Sequence, residues 1–142
     1  VRSAEAIDML QALNTGHDGS LSTGHANSPK DMISRLETMV LMGMDLPLPA
    51  IERQIASGLD IIVHLGRLRD KSRKVLEVTE VLGYWDGQIH LQTIYRYEEI
   101  RKEDENVTEN EKKDQENKVH GEWKKVAELF HREKLVAAGY YI

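Results

Sequence analysis

The most informative stretch of the sequence lies near the amino terminus and reads Gly16-His17-Asp18-Gly19-Ser20-Leu21-Ser22-Thr23-Gly24-His25-Ala26-Asn27-Ser28-Pro29. Small side chains between turn residues over Gly19 to Thr23 predict a short buried strand. Ser28 then offers a helix cap, Pro29 suits the first helical position, and Asp31 completes an S/T-x-x-D/E box. The stretch therefore predicts a strand that leads directly into a helix, an arrangement typical of α/β proteins.

Three helices are predicted around this stretch. Residues 4 to 13, preceded by Ser3, form one apolar face before the stop signal at Gly16. The helix that begins at Pro29 ends at Gly43 and carries an apolar stripe, which consists of Met32, Ile33, Leu36, Met39 and Val40. Pro49 opens a shorter helix that carries Ile51 and Ile55.

The apolar period changes after residue 58. The β-branched run from Leu59 to Leu65 predicts a central strand, and residues 75–82 and 89–97 predict two more. Asp86-Gly87 between these last two is a hairpin signal. Residues 101–118 carry 12 charges in 18 positions and predict a solvated connector or an exposed helix extension. A last helix is expected from about Val119 to Ala138, with Trp123, Val126 and Phe130 on one stripe, so the fold class is α/β with an antiparallel addition.

Composition excludes several function classes. The 142 residues include 24 acidic and 19 basic side chains, which give a net charge of −5 and argue against gripping nucleic acid through overall charge. The chain has no cysteine, so it has neither disulfides nor thiolate chemistry. No apolar run has the length of a membrane span, and Glu5 and Asp8 stand where the basic region of a signal peptide would be.

His25 is the candidate with the most chemical promise. It falls between the predicted strand and a helix amino terminus, where amide groups attract anions. There His25 could polarise a phosphate, with Thr23 and Asn27 as hydrogen-bonding neighbours. His17, eight residues away along extended chain, would be about 26 Å distant, too far to share a metal ion. The alternative is that both histidines simply decorate polar turns.

A basic cluster marks the turn after the first long strand. It consists of Arg67, Arg69, Lys71, Arg73 and Lys74. These residues form either a solvated hairpin tip or a contact for an anion, such as a nucleotide on a neighbouring subunit or acidic lipid headgroups. No G-x-x-x-x-G-K-[ST], G-x-S-x-G, H-E-x-x-H or G-x-G-x-x-G motif occurs. The chain by itself therefore lacks a complete catalytic apparatus.

Several motifs in order give a resemblance to a known family. They are Val1-Arg2-Ser3-Ala4-Glu5-Ala6, Met9 through Ser20, Thr23-Gly24-His25-Ala26-Asn27-Ser28-Pro29, Ser34 through Met39, Ile55-Ala56-Ser57, Arg73-Lys74-Val75 and Thr79-Glu80-Val81. Together they resemble the secretion-motor ATPases of the type II and type IV secretion superfamily, with most likeness to the CpaF-type ATPase of tight-adherence pili. The likeness covers residues 1 to about 97, weakens over 98–118, and returns faintly at 121–123 and 134–139.

The resemblance implies the carboxy-terminal portion of a RecA-like P-loop ATPase domain. It implies residues 1–97 as motor domain beginning just after the Walker B glutamate, 98–118 as a charged connector, and 119–142 as a carboxy-terminal helix. By the same resemblance His25 and Arg2 are catalytic, and His17, Thr23 and Asn27 lie near the nucleotide. The basic cluster described above, apart from the resemblance, makes Arg67, Arg69 and Arg73 candidate contacts for an anion or a neighbouring subunit.

The full-length protein is then expected to be a hexamer that binds ATP and Mg²⁺ and powers pilus assembly or protein secretion. It would lie in the cytoplasm at the inner face of the cell membrane, beside inner-membrane platform proteins, with no direct nucleic-acid contact. Neither tightly bound ATP nor activity is expected of the isolated chain. Two alternatives stay open, a non-hydrolytic oligomerisation or docking module and a motor for conjugative DNA transfer.

Overall fold

The computed structural model describes residues 3–15, 19–100 and 118–141. Three helices come first, α1 (Ser3–Asn14), α2 (Pro29–Gly43) and α3 (Leu48–Gly58). Four strands follow, β1 (Ile61–Arg67), β2 (Arg73–Trp85), β3 (Gln88–Glu99) and β4 (Gly121–Lys125), and a short helix α4 (Glu133–Ala137) comes last. Within the described residues the fold is α/β, with three helices on one four-stranded sheet.

The core lies where the three helices meet the sheet. Its buried side chains are Ala6, Leu10, Ile33, Leu36, Val40, Ile51 and Ile55. Ile62 of β1 and Ile89 and Leu91 of β3 pack against this cluster from the sheet. The apolar stripes predicted for α2 and α3 are therefore confirmed, because burying such a stripe against a neighbour is what stabilises an amphipathic helix.

The sheet is antiparallel throughout, in the order β1-β2-β3-β4. The predicted hairpin between β2 and β3 is confirmed, since Asp86 and Gly87 both have positive φ values, 52° and 72°, as the two central residues of a type I′ turn require.

The predicted position of β1 in the sheet is wrong. Its sequence predicted a central strand, but β1 is at an edge of the sheet, and Ile61, Val63 and Leu65 on the face away from the helices are exposed.

The strand predicted over Gly19 to Thr23 is absent. Residues 20–26 form neither helix nor strand and pair with no strand among the described residues, and Leu21 is 99% exposed. A strand needs a neighbour to take up its backbone N–H and C=O groups. The described strands pair only with one another, so this segment takes no part in the sheet.

The long carboxy-terminal helix is also a wrong prediction. Residues 121–125 instead form β4, which pairs antiparallel with β3 so that Trp123 stands opposite Tyr97. Only the five residues of α4 are helical. The spacing of Trp123, Val126 and Phe130 mimics a helical stripe, but cross-strand pairing with Tyr97 provides the alternative that local spacing does not reveal.

A segment that follows β4 crosses the face of the sheet opposite the helices. Glu80 on β2 is 1% exposed, and its carboxylate accepts hydrogen bonds from the backbone N–H groups of Phe130 (2.9 Å) and His131 (2.8 Å). The side-chain amide of Gln92 on β3 donates to the Glu128 carbonyl oxygen at 2.7 Å. We call residues 126–131, held in this way, the crossing segment.

The connector predicted over residues 98–118 falls mostly outside the described residues. Where the chain is described on either side, the Ile100 N–H donates to the His120 carbonyl oxygen at 2.7 Å. The two sides of the 101–117 stretch therefore meet next to each other at the end of β3.

Candidate functional site

The cap of α2 fixes the candidate site. Ser28 has extended backbone angles, and its hydroxyl oxygen accepts the N–H of Asp31 at 3.0 Å, as the sequence predicted. The Asp31 carboxylate in turn accepts the backbone N–H of Asn27 at 2.9 Å. Two reciprocal hydrogen bonds therefore orient residues 27–31, and with them the chain that carries His25 into the helix.

Asp31 also changes the electrostatics of this helix end. Its carboxylate pairs with the Arg35 guanidinium one turn later, at 3.0 Å. The hydrogen bond from the Asn27 amide, followed by that from Arg35, lowers the pKa of the Asp31 carboxyl. In the first turn of α2, Pro29 has no N–H and the Asp31 N–H donates to Ser28. The backbone N–H of Lys30 makes no hydrogen bond among the described residues. The helix end is thus partly neutralised from within, and any anion must be bound chiefly by side chains.

His25 lies on the surface just before this cap. The side chains of His25 and Asn27 are exposed, and Gly24 lies against α2. A Cβ atom on Gly24 would come within 2.8 Å of the terminal methyl of Met32, so the chain passes close over the first turn of the helix. The arrangement presents the His25 imidazole to solvent from a backbone position that the helix cap determines.

A surface pocket lies beside this segment. It has a volume of about 430 Å³ and is lined by Glu5 and Met9 of α1 and by Leu21, Ser22 and Thr23. Thr23 thus reaches a concave surface, together with a carboxylate from α1. His25 and Asn27 are not among the lining residues. The structure therefore brings Thr23 to a pocket but does not bring the three predicted residues into one cluster.

The other predicted site residues divide into two groups. Arg2 and His17 lie outside the described residues. Arg67, Arg69 and Arg73 surround the β1–β2 turn, where Arg69 pairs with the Glu99 carboxylate on β3 (Nε–Oε1, 3.2 Å). Arg67 and Arg73 are exposed and directly opposite each other in the strand register. Arg69 is thus engaged within the chain, whereas Arg67 and Arg73 point to solvent.

MgATP does not fit the described residues alone. Within them no group of three His, Asp or Glu side chains is arranged to hold a metal ion. The sequence has no phosphate-binding loop, and the cap already uses most of the amides at the start of α2. His25, Thr23 and Asn27 are the residues here that could face a nucleotide held by other parts of a larger protein.

Two acidic residues with clear roles were missed by sequence reasoning. Glu80 holds the crossing segment, and Asp70 accepts the Ser72 N–H and the Val119 N–H, each at 2.9 Å. Hydrogen bonding, first from the Ser72 hydroxyl and then from the Val119 amide, lowers the pKa of Asp70 to about 2. For Glu80 the sequence held a usable signal, because a glutamate among the apolar residues of β2 needs a specific hydrogen-bonding partner if it is buried.

Comparison with known proteins gives the family. The family model described as "Type II/IV secretion system protein" matches residues 1–134. A putative conjugal transfer protein of Mycobacterium tuberculosis is 36% identical over 95 residues, which are 67% of this chain and 26% of that protein. The conjugal transfer protein TrbB of Rhizobium radiobacter is 34% identical over 93 residues, 66% of this chain and 27% of the relative.

A third relative is described as a type IV secretion system protein. The type IV secretion system protein VirB11 of Brucella suis is 35% identical over 68 residues, which cover 46% of this chain and 19% of that protein. The chain spans about a quarter of the length of the first two relatives. None of the described helices is long and apolar enough to cross a bilayer. Because the family model matches nearly the whole sequence, the chain belongs to the type II/IV secretion system protein family.

Proposed function

We propose that this chain is part of a hexameric ATPase motor that hydrolyses ATP to power pilus assembly or protein secretion. The family match supports a role in a secretion machine. The observation that carries the proposal is the position of His25, exposed on a segment that the cap of α2 fixes in place. An exposed imidazole next to a fixed helix start is suited to meet a phosphate supplied by the rest of a motor.

His25 is proposed to act on developing charge rather than to bind substrate in its ground state. An imidazole N–H aimed at a phosphate oxygen stabilises charge that grows in the transition state. Thr23, at the neighbouring pocket, and Asn27 are proposed to lie near the nucleotide, and Arg2 is proposed to act beside His25. ATP and Mg²⁺ would be bound largely by groups outside this chain, since the chain has no phosphate loop.

Conjugative DNA transfer is the second candidate function. Two of the relatives named above are described as conjugal transfer proteins. Transport by such a motor does not require this chain to touch nucleic acid, and its net charge of −5 argues against such contact. The proposal also includes a CpaF-type role in tight-adherence pili, a place at the cytoplasmic face of the membrane and contact with platform proteins.

Steady-state kinetics of the full-length protein test the role of His25. His25→Ala is expected to lower kcat for ATP about a hundredfold with little change in KM, because the lost interaction forms mainly in the transition state. His120→Ala is the matched control, since it removes another exposed imidazole beside β4. Unchanged turnover would mean that His25 is only a polar turn residue with no catalytic role. Equal losses in binding and turnover would mean that His25 contacts the nucleotide in the ground state.

Calorimetry of the isolated chain separates the motor from a docking module. No ATP binding is expected for residues 1–142, since the backbone cradle, lysine and Mg²⁺-binding hydroxyl of a phosphate loop are missing from the sequence. Low-micromolar affinity would contradict this. If the full-length protein also neither binds nor hydrolyses ATP, the non-hydrolytic docking module replaces the motor as the function.

A further inference from the structure

We propose that Asp31 is a positioning residue for His25. Its charged carboxylate holds the backbone on the carboxy-terminal side of His25, at Asn27, and Arg35 orients that carboxylate. The proposal rests on the proposed function of His25 and deepens it, because it assigns the side chain that determines where the imidazole can act. Asp31 acts through His25 and is not itself in contact with the nucleotide.

One oxygen atom of Asp31 makes both contacts. Asp31 Oδ2 accepts the backbone N–H of Asn27 at 2.9 Å and the Nε–H of Arg35 at 3.0 Å. Hydrogen bonds to an ionised acceptor are about twice as strong as those between neutral groups. Asn27 lies two residues after His25 in the sequence. The charge of one side chain therefore determines where the backbone that leaves His25 is held.

Asp31 itself stands on a rigid support. Its N–H donates to the Ser28 hydroxyl oxygen at 3.0 Å, and the Met32 N–H donates to the Ser28 carbonyl oxygen at 3.0 Å. Ile33, two residues further along α2, is 6% exposed and belongs to the core. A functional group on a packed helix is placed more precisely than one on a loop. Asp31 can thus transmit the position of α2 to the chain that precedes the helix.

The backbone on the other side of His25 also lies close to this helix. A Cβ atom on Gly24 would come within 2.8 Å of the terminal methyl of Met32, so a side chain there would displace the end of Met32. Ala26, which follows His25, is half-buried. His25 therefore lies between two points at which the chain meets the first turn of α2. The contact at Asn27 is the one of the two that depends on a charge.

The exposure of the ion pair separates a positioning role from a role in stability. The Asp31 and Arg35 side chains are 33% and 51% exposed. An ion pair this open to water contributes little to the free energy of unfolding. Catalysis is far more sensitive to position, because a displacement of about 1 Å can lower a rate about a hundredfold. Loss of the Asp31 charge should therefore reduce turnover much more than it reduces stability.

NMR of the 142-residue chain tests the positioning without nucleotide. Asp31→Asn keeps the shape of the side chain and removes its charge. We expect the Asn27 amide to exchange with solvent about tenfold faster in this variant, because its acceptor is weaker. Asp45→Asn, at an exposed position after α2, removes the same charge and should leave the exchange of the Asn27 amide unchanged.

Kinetics of the full-length protein test the link to His25. Asp31→Asn is expected to lower kcat for ATP about tenfold with little change in KM, and Arg35→Gln should have the same effect to a smaller extent. Combined with His25→Ala, Asp31→Asn should lower kcat no further, because the effects of residues that act through one another do not add. Urea unfolding of Asp31→Asn should give the same midpoint as that of Asp45→Asn.

Four results would overturn the proposal. Unchanged exchange of the Asn27 amide would mean that other contacts hold this backbone, and a clearly lowered urea midpoint would make Asp31 a residue of the fold. Unchanged turnover in Asp31→Asn, where His25→Ala is impaired, would remove the role of Asp31 and leave that of His25. A further tenfold loss in the double variant would mean that Asp31 acts independently of His25.

Failure of the proposed function gives a different pattern. If His25→Ala keeps full turnover, His25 has no catalytic role. Exchange of the Asn27 amide in the 142-residue chain then still decides whether the Asp31 charge holds the backbone beside His25, since that measurement needs neither nucleotide nor activity.

Discussion

The carboxylate of Glu80 accepts the backbone N–H of Phe130 at 2.9 Å across fifty residues of sequence. The same carboxylate accepts the N–H of His131, and the Glu80 side chain is buried between β2 and the crossing segment. Hydrogen bonds to a buried charged acceptor are among the stronger ones in proteins. Glu80 is therefore the main polar link between the sheet and the chain that follows β4.

Removal of this carboxylate is expected to destabilise the fold. Glu80→Ala leaves two backbone amides without their acceptor and should lower the free energy of unfolding by about 3 kcal/mol. Glu80→Gln, which keeps one acceptor oxygen, should cost less. Urea unfolding measures both, with Glu133→Ala on the exposed face of α4 as control. A Glu80→Ala loss no larger than the control would mean that the crossing segment is held by other contacts.

Asp70 gives the structure a defined acid sensitivity. Its pKa is lowered from 3.8 to about 2, chiefly by the Ser72 hydroxyl, so folding favours the charged carboxylate. The stabilisation is present above pH 4 and is lost as the pH falls through about 2, since the unfolded state binds the proton more readily. NMR titration of the Asp70 carboxyl measures this pKa. Ser72→Ala should raise it toward 3.8, and an unchanged value would assign the shift to the Val119 amide instead.

Trp123→Ala is expected to cost less stability than loss of a core tryptophan. The ring is half exposed, contacts Tyr97 edge-on at 5.4 Å between centroids, and makes one hydrogen bond to Val75. We expect a loss of about 2 kcal/mol, against the 3–5 kcal/mol typical of a buried site. Melting curves and sedimentation of the same variant are the measurements. Weaker oligomers with an unchanged melting temperature would mean that Trp123 serves a subunit contact instead.

The cap of α2 should contribute measurably to stability. Ser28→Ala removes the oxygen that accepts the Asp31 N–H and is expected to cost about 1 kcal/mol. Ser34→Ala, on the exposed face within the same helix, is the control and should be neutral or slightly stabilising because alanine favours helix. Chemical denaturation distinguishes the two. Equal effects would show that the cap geometry is maintained without the Ser28 hydroxyl.

Local signals predicted the first three helices and the central hairpin well. Ser28, Pro29 and Asp31 fix the start of α2, and Asp86-Gly87 fixes the β2–β3 turn, because each acts through hydrogen bonds or backbone angles within a few residues. His25 lies just before this cap, and its side chain is exposed. Its chemical role stays a prediction.

Features that depend on distant partners were not predictable in this way. The 19–23 segment has strand-like residues, but a strand forms only where another strand can pair with it. Trp123 has helical spacing to Phe130, yet β3 offers it a cross-strand partner, Tyr97, which determines the outcome. The role of Glu80 depends on amides fifty residues away, and no spacing rule connects them.

The hydrogen bond between Ile100 and His120 has a consequence for how this sequence can change in length. Since the two sides of the 101–117 stretch meet at one point, residues added or removed there need not alter the register of β3 with β4. The entropy cost of closing a chain between two fixed points grows slowly with its length, by about 0.6 kcal/mol for each doubling. This position is therefore where evolution can vary length cheaply, and where an experimenter can insert an epitope or a fluorescent domain while leaving the sheet intact.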